Sequence, residues 1–236
     1  ATLRSHSPPT HSDIVLFMNK ISPQQQEIFD KYSATAIPFD ESNLLPHPTL
    51  MASYHPSTYR WPMIKDFFDH HKSYDKILLA DVRDMAFQGD PFSIPTSPGL
   101  YVFNGVESKT IGEDGWNGGW VKDCFGQETF NKIFSNKIIC SGVSVGSADA
   151  VLPYIDQMAA TMTTDEFAKC ERNGVDQGVH NVLLHTHKID PSTVFQFDQK
   201  TGPVANMQAH VMELKSNFDV VNSKGEVVPI IHQYDR

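Results

Sequence analysis

Cysteine is scarce in this chain of 236 residues: Cys124, Cys140 and Cys170 are all it has. Three thiols fall short of a disulfide framework, which excludes the small scaffolds held together by several bridges. One bridge stays open, with Cys124 and Cys140 the closer pair in sequence; free buried thiols are the other reading. No apolar run approaches the roughly 18 residues that a membrane-spanning helix needs. Positive charge is short too, with 19 Lys and Arg against 28 Asp and Glu and a formal net charge of −9. That balance excludes a nucleic-acid surface, which needs clustered cations. It also leaves an anionic substrate in need of a specific counter-charge. There is no signal-peptide pattern, no internal repeat and no long polar linker, so a single domain over 1–236 is expected.

Residues 1–13 are rich in Ser, Pro, His and Thr and read as a flexible lead-in. The chain opens without Met and stops just after a strand-like segment, as a trimmed chain with its membrane anchor removed would. Between these ends the hydrophobic content, 40%, is that of a globular protein. Ile14–Met18 is a compact apolar run, expected as the first strand. Ser22 and Pro23 give a helix running to about Lys31 its cap and first turn. Residues 34–39 read as a second strand. Trp61, Ile64, Phe67 and Phe68 space an amphipathic helix over 59–70, and Lys76–Ala80 is expected as the central strand. This alternation predicts an α/β fold with a mixed, mainly parallel sheet flanked by helices.

Further along, 99–103 and 137–145 read as strands, and 128–134 as a short helix. Residues 113–126 hold Trp116, Trp120, Gly115, Gly118 and Gly119 without a clean period, and are expected as a loop. Ser147 caps a helix whose apolar face is Val151, Ile155, Met158, Ala159 and Met162. Another helix starts near Val175 and carries Val179, Val182 and Leu183. Short strands follow over 193–197, 218–221 and 227–232.

The chemistry concentrates after Lys76–Ala80. Asp81 and Asp84 stand at the carboxyl end of that strand, where open α/β sheets place ligands. Two acids crowded there repel each other unless a cation holds them. A single such Asp would be read as the cap of the next turn, but the pair points to a metal that clamps a phosphorylated ligand. Arg83 either contacts phosphate or neutralises its acidic neighbours. Asp90, before Pro91, is a turn former.

The run Ala80-Asp81-Val82-Arg83-Asp84 resembles the DxD motif of glycosyltransferases with the GT-A fold. Three later segments resemble that family in the same order. Cys140-Ser141-Gly142-Val143-Ser144-Val145-Gly146 is similar to the segment lining the donor-sugar pocket. Gly174-Val175-Asp176-Gln177-Gly178-Val179-His180-Asn181 is similar to the helix start of nucleotide-sugar transferases. Ile231-His232-Gln233-Tyr234-Asp235-Arg236 is similar to the closing strand whose His completes the metal shell. The likeness spans nearly the whole chain. One departure is that the acids are three apart rather than two, which leaves open which of them binds metal and which meets the ribose.

The resemblance implies a GT-A-like, Rossmann-like fold and a metal-dependent transferase. Its donor would be a nucleotide-sugar, UDP-linked first of all, and its acceptor a glycan or other hydroxyl, within glycan biosynthesis. Asp81, Asp84 and His232 would hold Mn²⁺, or Mg²⁺ next, since hard oxygens plus one imidazole suit those ions; His232 is otherwise a half-buried strand-end residue. Asp176 would act at the anomeric carbon, as the base of an inverting enzyme or as a donor-sugar ligand of a retaining one; alone it is an N-cap. Gln177, Ser141 and Gly142 would touch the donor sugar. Asn19 would meet the nucleotide base, and Arg60 the diphosphate, with Asp81 or Arg83 on the ribose or sugar. Trp116 and Asn117, with Trp120, would shape the acceptor site. Tyr59 and Trp61 are read as core, and His70, His71, His185 and His187 as surface or satisfied residues. Lumen of the secretory pathway is the expected location for a eukaryotic chain trimmed of its anchor, cytoplasm otherwise.

Three other classes compete. A sugar-nucleotide nucleotidyltransferase shares the fold but wants a Gly-rich basic loop after the first strand, where this chain has Met18-Asn19-Lys20-Ile21-Ser22-Pro23. An aspartyl phosphatase would carry its acids after the first strand, not the third. A non-catalytic carbohydrate-binding domain on the same fold differs only in lacking turnover.

Overall fold

A computed structural model describes residues 1–40, 53–71, 73–94, 96–105, 107–207, 213–217 and 219–234. Residues 1–13, expected as a flexible lead-in, contain a short helix, α1 (Thr2–His6). Arg4 on α1 donates to the carbonyls of Tyr32 at 2.7 Å and Ser33 at 2.9 Å. Those bonds tie the start of the chain to the unit that follows. That unit is strand β1 (Ile14–Met18), helix α2 (Pro23–Lys31) and strand β2 (Ala34–Pro38), with β1 and β2 parallel and Ile14 opposite Ala34. The start of α2 follows from its sequence. Ser22 Oγ accepts the Gln25 N–H at 3.2 Å and Gln25 Oε1 accepts the Ser22 N–H at 2.8 Å. This reciprocal cap satisfies donors that a first helical turn leaves open, and Pro23 has no N–H to lose there.

Helix α3 (Pro56–His70) begins three residues before the apolar spacing suggests, because His55 Nδ1 accepts the Ser57 N–H and Pro56 takes the first position. Strands β3 (Lys76–Ala80), β4 (Met85–Phe87) and β5 (Leu100–Asn104) follow. The rest comprises helix α4 (Gly115–Ile133), strand β6 (Ile139–Ser147), and helices α5 (Ala148–Met162), α6 (Asp165–Ala168) and α7 (Val175–His185). Strands β7 (Val194–Phe197), β8 (Val204–Asn206), β9 (Glu213–Leu214), β10 (Val220–Val221) and β11 (Ile230–His232) complete it. Phe218, Asp235 and Arg236 lie outside the described residues.

The sheets are mixed, as expected, but antiparallel pairings outnumber parallel ones among the described residues. The four-stranded sheet runs β3-β6-β5-β7, with β6 antiparallel to both neighbours and β5 parallel to β7. Lys76–Ala80 is therefore an edge of this sheet among the described residues, not its centre. A second sheet, β4-β11-β8, has β11 antiparallel to β4 and parallel to β8. A strand buried on both faces shows the same apolar run whichever way it points, so its direction is not written locally.

Alternation along the central strands divides the core. Ile77, Leu100, Val102 and Ile139 face helices α3, α5 and α7 and pack with Trp61, Val151, Ile155, Met158 and Val179. Tyr101, Phe103, Val143 and Val145 face the other way, against Val204 of β8 and Ile230 of β11. Tyr59 and Trp61 are core, as expected. Every residue expected on the inner face of α5 is buried, as are Val179, Val182 and Leu183 of α7.

Two expectations fail around α4. Residues 113–126, expected as a loop, form most of a helix, and 128–134 continue it past a kink at Gly126, whose φ is 79°. Asp114 Oδ1 accepts the N–H groups of Trp116 at 3.1 Å and Asn117 at 2.9 Å, which starts the helix. Glycine costs about 1 kcal/mol per helical position, so local pattern argues against a helix here. Packing overrides it: Trp120 lies against Gly174 and Gly178 at the head of α7. The second correction is the bridge. Cys124 pairs with Cys170, and Cys140 stays free and buried. Closeness in sequence to Cys140 was no guide, because Cys140 sits inside β6 while Cys124 faces the segment leading into α7.

Candidate metal centre and its cleft

Strand register assembles the acidic site. Ala80 pairs with Val143, and the Asp81 N–H continues that ladder to the Gly142 carbonyl at 2.9 Å. Asp84 ends the turn that leads into β4, and Met85 of β4 pairs with His232 of β11. The Gln233 N–H closes onto the Asp84 carbonyl at 2.8 Å. Three strand ends therefore meet, and each contributes one group. His232 Nε2 lies 3.6 Å from Asp81 Oδ2 and 3.7 Å from Asp84 Oδ1. The spacing of three between the acids accommodates Val82 and Arg83 in the exposed turn while both carboxylates still face one imidazole.

These residues fit a divalent cation. One ligand atom from each of Asp81, Asp84 and His232 falls within 4.8 Å of the others. An ion bound at about 2.0–2.6 Å separates opposite oxygens by about 4–5 Å. Asp84 and His232 are buried, and His232 Nε2 has no hydrogen-bond partner. Gly142 leaves the needed room: a Cβ there would lie 2.6 Å from His232 Nε2 and 3.0 Å from Asp81 Oδ2, where a cation shared by those atoms would sit.

The charges are balanced from both sides. Burial works against the Asp81 carboxylate, but the His232 imidazole and the Arg60 guanidinium outweigh it and hold its pKa down, to about 2. Burial likewise disfavours a charged His232, yet Asp81 and the neighbouring Cys140 reverse this and raise its pKa to about 10. Arg60, on α3, donates to Asp81 Oδ1 and, at 2.6 Å, to Asp176 Oδ2 at the start of α7. Burial alone would lower the Arg60 pKa; the carboxylates of Asp176 and Asp81 more than reverse this. Asp176 is nearly sealed, with 4% of its side chain exposed.

A cleft of about 2000 Å³ opens over this group. Asn19, Arg60, Asp81, Arg83, Asp84, Trp116, Asn117, Ser141, Gly142, Asp176, Gln177 and His232 all line it. Their hydrogen bonds separate them further. Gln177, expected at the donor sugar, instead binds strand β6: its Oε1 accepts the Ser141 N–H at 2.8 Å and its Nε2 donates to the Ile139 carbonyl. Asn181, one turn on, holds Ile139 in the same way, accepting its N–H at 2.9 Å. Asn117 is drawn into the α4 cap, where its Nδ2 donates to Asp114 Oδ1 at 3.0 Å. Trp116 stands out at the cleft mouth, 71% exposed. Asn19 and Arg83 are exposed on the rim, and Arg60 meets two carboxylates rather than open space.

No protein-family model matches this chain, and no curated protein matches it. The site is therefore read from its geometry alone. That geometry contains partners that sequence reasoning missed. His232 Nδ1 lies 2.7 Å from Asn206 Oδ1 and 3.5 Å from Cys140 Sγ. Under Asp176, the Tyr154 hydroxyl lies 2.7 Å from Nδ1 of His180, and burial foremost holds that imidazole neutral, with a pKa near 3. Only the tertiary register brings Asn206 beside His232, so no local signal marked it.

Proposed function

We propose that this chain is a metal-dependent glycosyltransferase that moves a sugar from a nucleoside diphosphate donor, a UDP-sugar first of all, to a hydroxyl of a glycan acceptor. The observation that carries this reading is the convergence of Asp81, Asp84 and His232 on one point of the cleft, beside the Arg60–Asp176 pair. Mn²⁺ or Mg²⁺ bound there would act as a Lewis acid that neutralises the departing diphosphate.

The chain's own groups divide the remaining work. Arg60 carries a fixed positive charge between the metal ligands and Asp176, and supplies the diphosphate with a planar donor group. Asn19 and Arg83, on the rim, receive the nucleoside. Ser141 and Gly142 form the wall against the donor sugar, and Gln177 positions that wall through β6. Asp176 faces the reacting carbon: in an inverting course it takes the acceptor proton, and in a retaining course it holds the donor sugar. Trp116 offers the flat apolar face of its indole to the acceptor sugar.

A thermal-shift screen of nucleotide-sugars with and without Mn²⁺ tests the reading, since a ligand of the native state raises its melting temperature by mass action. The expected result is a shift of several degrees with one UDP-sugar, seen only with the metal, together with slow release of UDP. In Asp176→Asn, turnover falls by orders of magnitude while UDP and Mn²⁺ still bind. Absence of any Mn²⁺-dependent shift with nucleotide or nucleotide-sugar would end the proposal.

A further inference from the structure

Behind His232 runs a buried chain of amides that the proposed reaction does not itself require. Asn206 on β8 is in register with His232 on β11, and both are almost fully buried. Asn206 Nδ2 donates to the Asn104 carbonyl at 2.7 Å. A backbone carbonyl only accepts, so the amide group of Asn206 faces it and Oδ1 is left for His232. That oxygen, 2.7 Å from His232 Nδ1, also only accepts. The proton on this face of the ring is therefore on Nδ1. Nε2, the atom aimed at Asp81 and Asp84, is the one left to take a cation.

The amide cannot easily turn over. A flip would set the Asn206 oxygen against the Asn104 carbonyl and two donors against Nδ1–H. The support extends outward. The Asn206 carbonyl accepts from Gln199 Nε2. The Asn104 side chain receives Gln196 Nε2 at 2.6 Å and donates to Glu107 Oε1 at 3.1 Å. Cys140 Sγ, at 3.5 Å, is the weaker neighbour of Nδ1.

We infer that Asn206 is a positioning residue that fixes the tautomer and ring plane of His232 so that Nε2 is presented to a divalent cation. This rests on the metal site proposed above. Partners behind a ligating imidazole generally contribute 10–100-fold in metal affinity, and the same range is expected for Asn206.

The test combines Mn²⁺ titration calorimetry with NMR of histidine ¹⁵N-labelled protein, using Cd²⁺ as the diamagnetic probe. In the wild type, His232 should show a slowly exchanging Nδ1 proton with and without Cd²⁺, and Cd²⁺ should shift the Nε2 resonance. Asn206→Leu should lose the slow Nδ1 proton and weaken Mn²⁺ binding by about 10–100-fold. Asn206→Asp, which restores an acceptor for Nδ1–H, should keep that proton and bind Mn²⁺ more tightly than Asn206→Leu. If Asn206→Leu does not fold, the wild type alone still decides, because a wild-type His232 without a protected Nδ1 proton overturns the inference. Unchanged Mn²⁺ affinity in folded Asn206→Leu overturns it as well. A wild type that keeps the protected Nδ1 proton but binds no Mn²⁺ would instead sink the metal site and leave the amide chain as a structural device.

Discussion

At one end of the cleft the chain places its side chains by strand register; at the other it places them on a helix clasped from the side. Asp81, Asp84 and His232 come from three strand ends whose ladders fix their spacing, and two of the three are buried. Trp116 sits on the first turn of α4, exposed, on a helix fastened by the Cys124–Cys170 bridge, a 2.6 Å ion pair between Asp123 and Arg172, and Trp120 packed on Gly174 and Gly178. The difference agrees with what the proposed function would ask of each end. A cation tolerates errors of only tenths of an ångström in its ligands, and a hydrogen-bonded ladder provides that. A face proposed to receive a sugar ring needs an aromatic surface more than an exact position.

The comparison breaks first at the ligands. Asp84→Ala or His232→Ala should abolish calorimetrically detectable Mn²⁺ binding in the presence of UDP, while Trp116→Ala binds Mn²⁺ as the wild type does. Equal binding by all three would show that the strand ends hold no metal. Next comes the clasp. Replacing Cys124 and Cys170 by Ser opens a loop with a sequence separation of 46, for which chain entropy alone gives about 4 kcal/mol of lost stability. Denaturant unfolding should show a loss of that order, with Mn²⁺ affinity changed by less than about threefold if the two ends are independent.

A third test uses pH. The His232 pKa lies above its unfolded value, at about 10. Its contribution to the stability of the metal-free chain is thus complete below about pH 6.5 and is lost as pH rises through about 10. Affinity for the proposed cation should move the other way, because it would displace the Nε2 proton. Between pH 6 and 8 Mn²⁺ affinity should rise about tenfold per pH unit, and titration in buffers of different ionisation enthalpy should count one proton released. A pH-independent affinity would place the metal away from His232. The smallest effect belongs to the indole: Trp116→Ala should raise the acceptor KM by about tenfold or less, the scale of one aromatic contact, with kcat and donor KM unchanged.

What the sequence showed plainly was whatever carries its own punctuation. Strands β1 and β3 and helix α2 are where the apolar runs and the Ser22–Pro23 start put them. Asp81 and Asp84 stand out for the same reason, as a sharp change from apolar to acidic. Features decided by distant packing were hidden. The glycines of α4 read as a loop until Trp120 meets α7. Cys170 is 46 residues from its partner. Gln177 resembles a sugar ligand, yet the strand beside it takes both ends of its amide. Arg60 was visible as a cation, but not as the shared counter-ion of two acids from different elements.

Gly142 offers something practical. Changing it to alanine adds one methyl where a Cβ would press on His232 Cε1 and lie 3.0 Å from Asp81 Oδ2, and deletes neither side chain. The product would be a twin of the natural chain that keeps every proposed functional side chain but crowds the His232 imidazole out of the place proposed for the cation. Set beside the wild type in a cell, such a twin would separate what the proposed chemistry does from what the folded body does merely by being present.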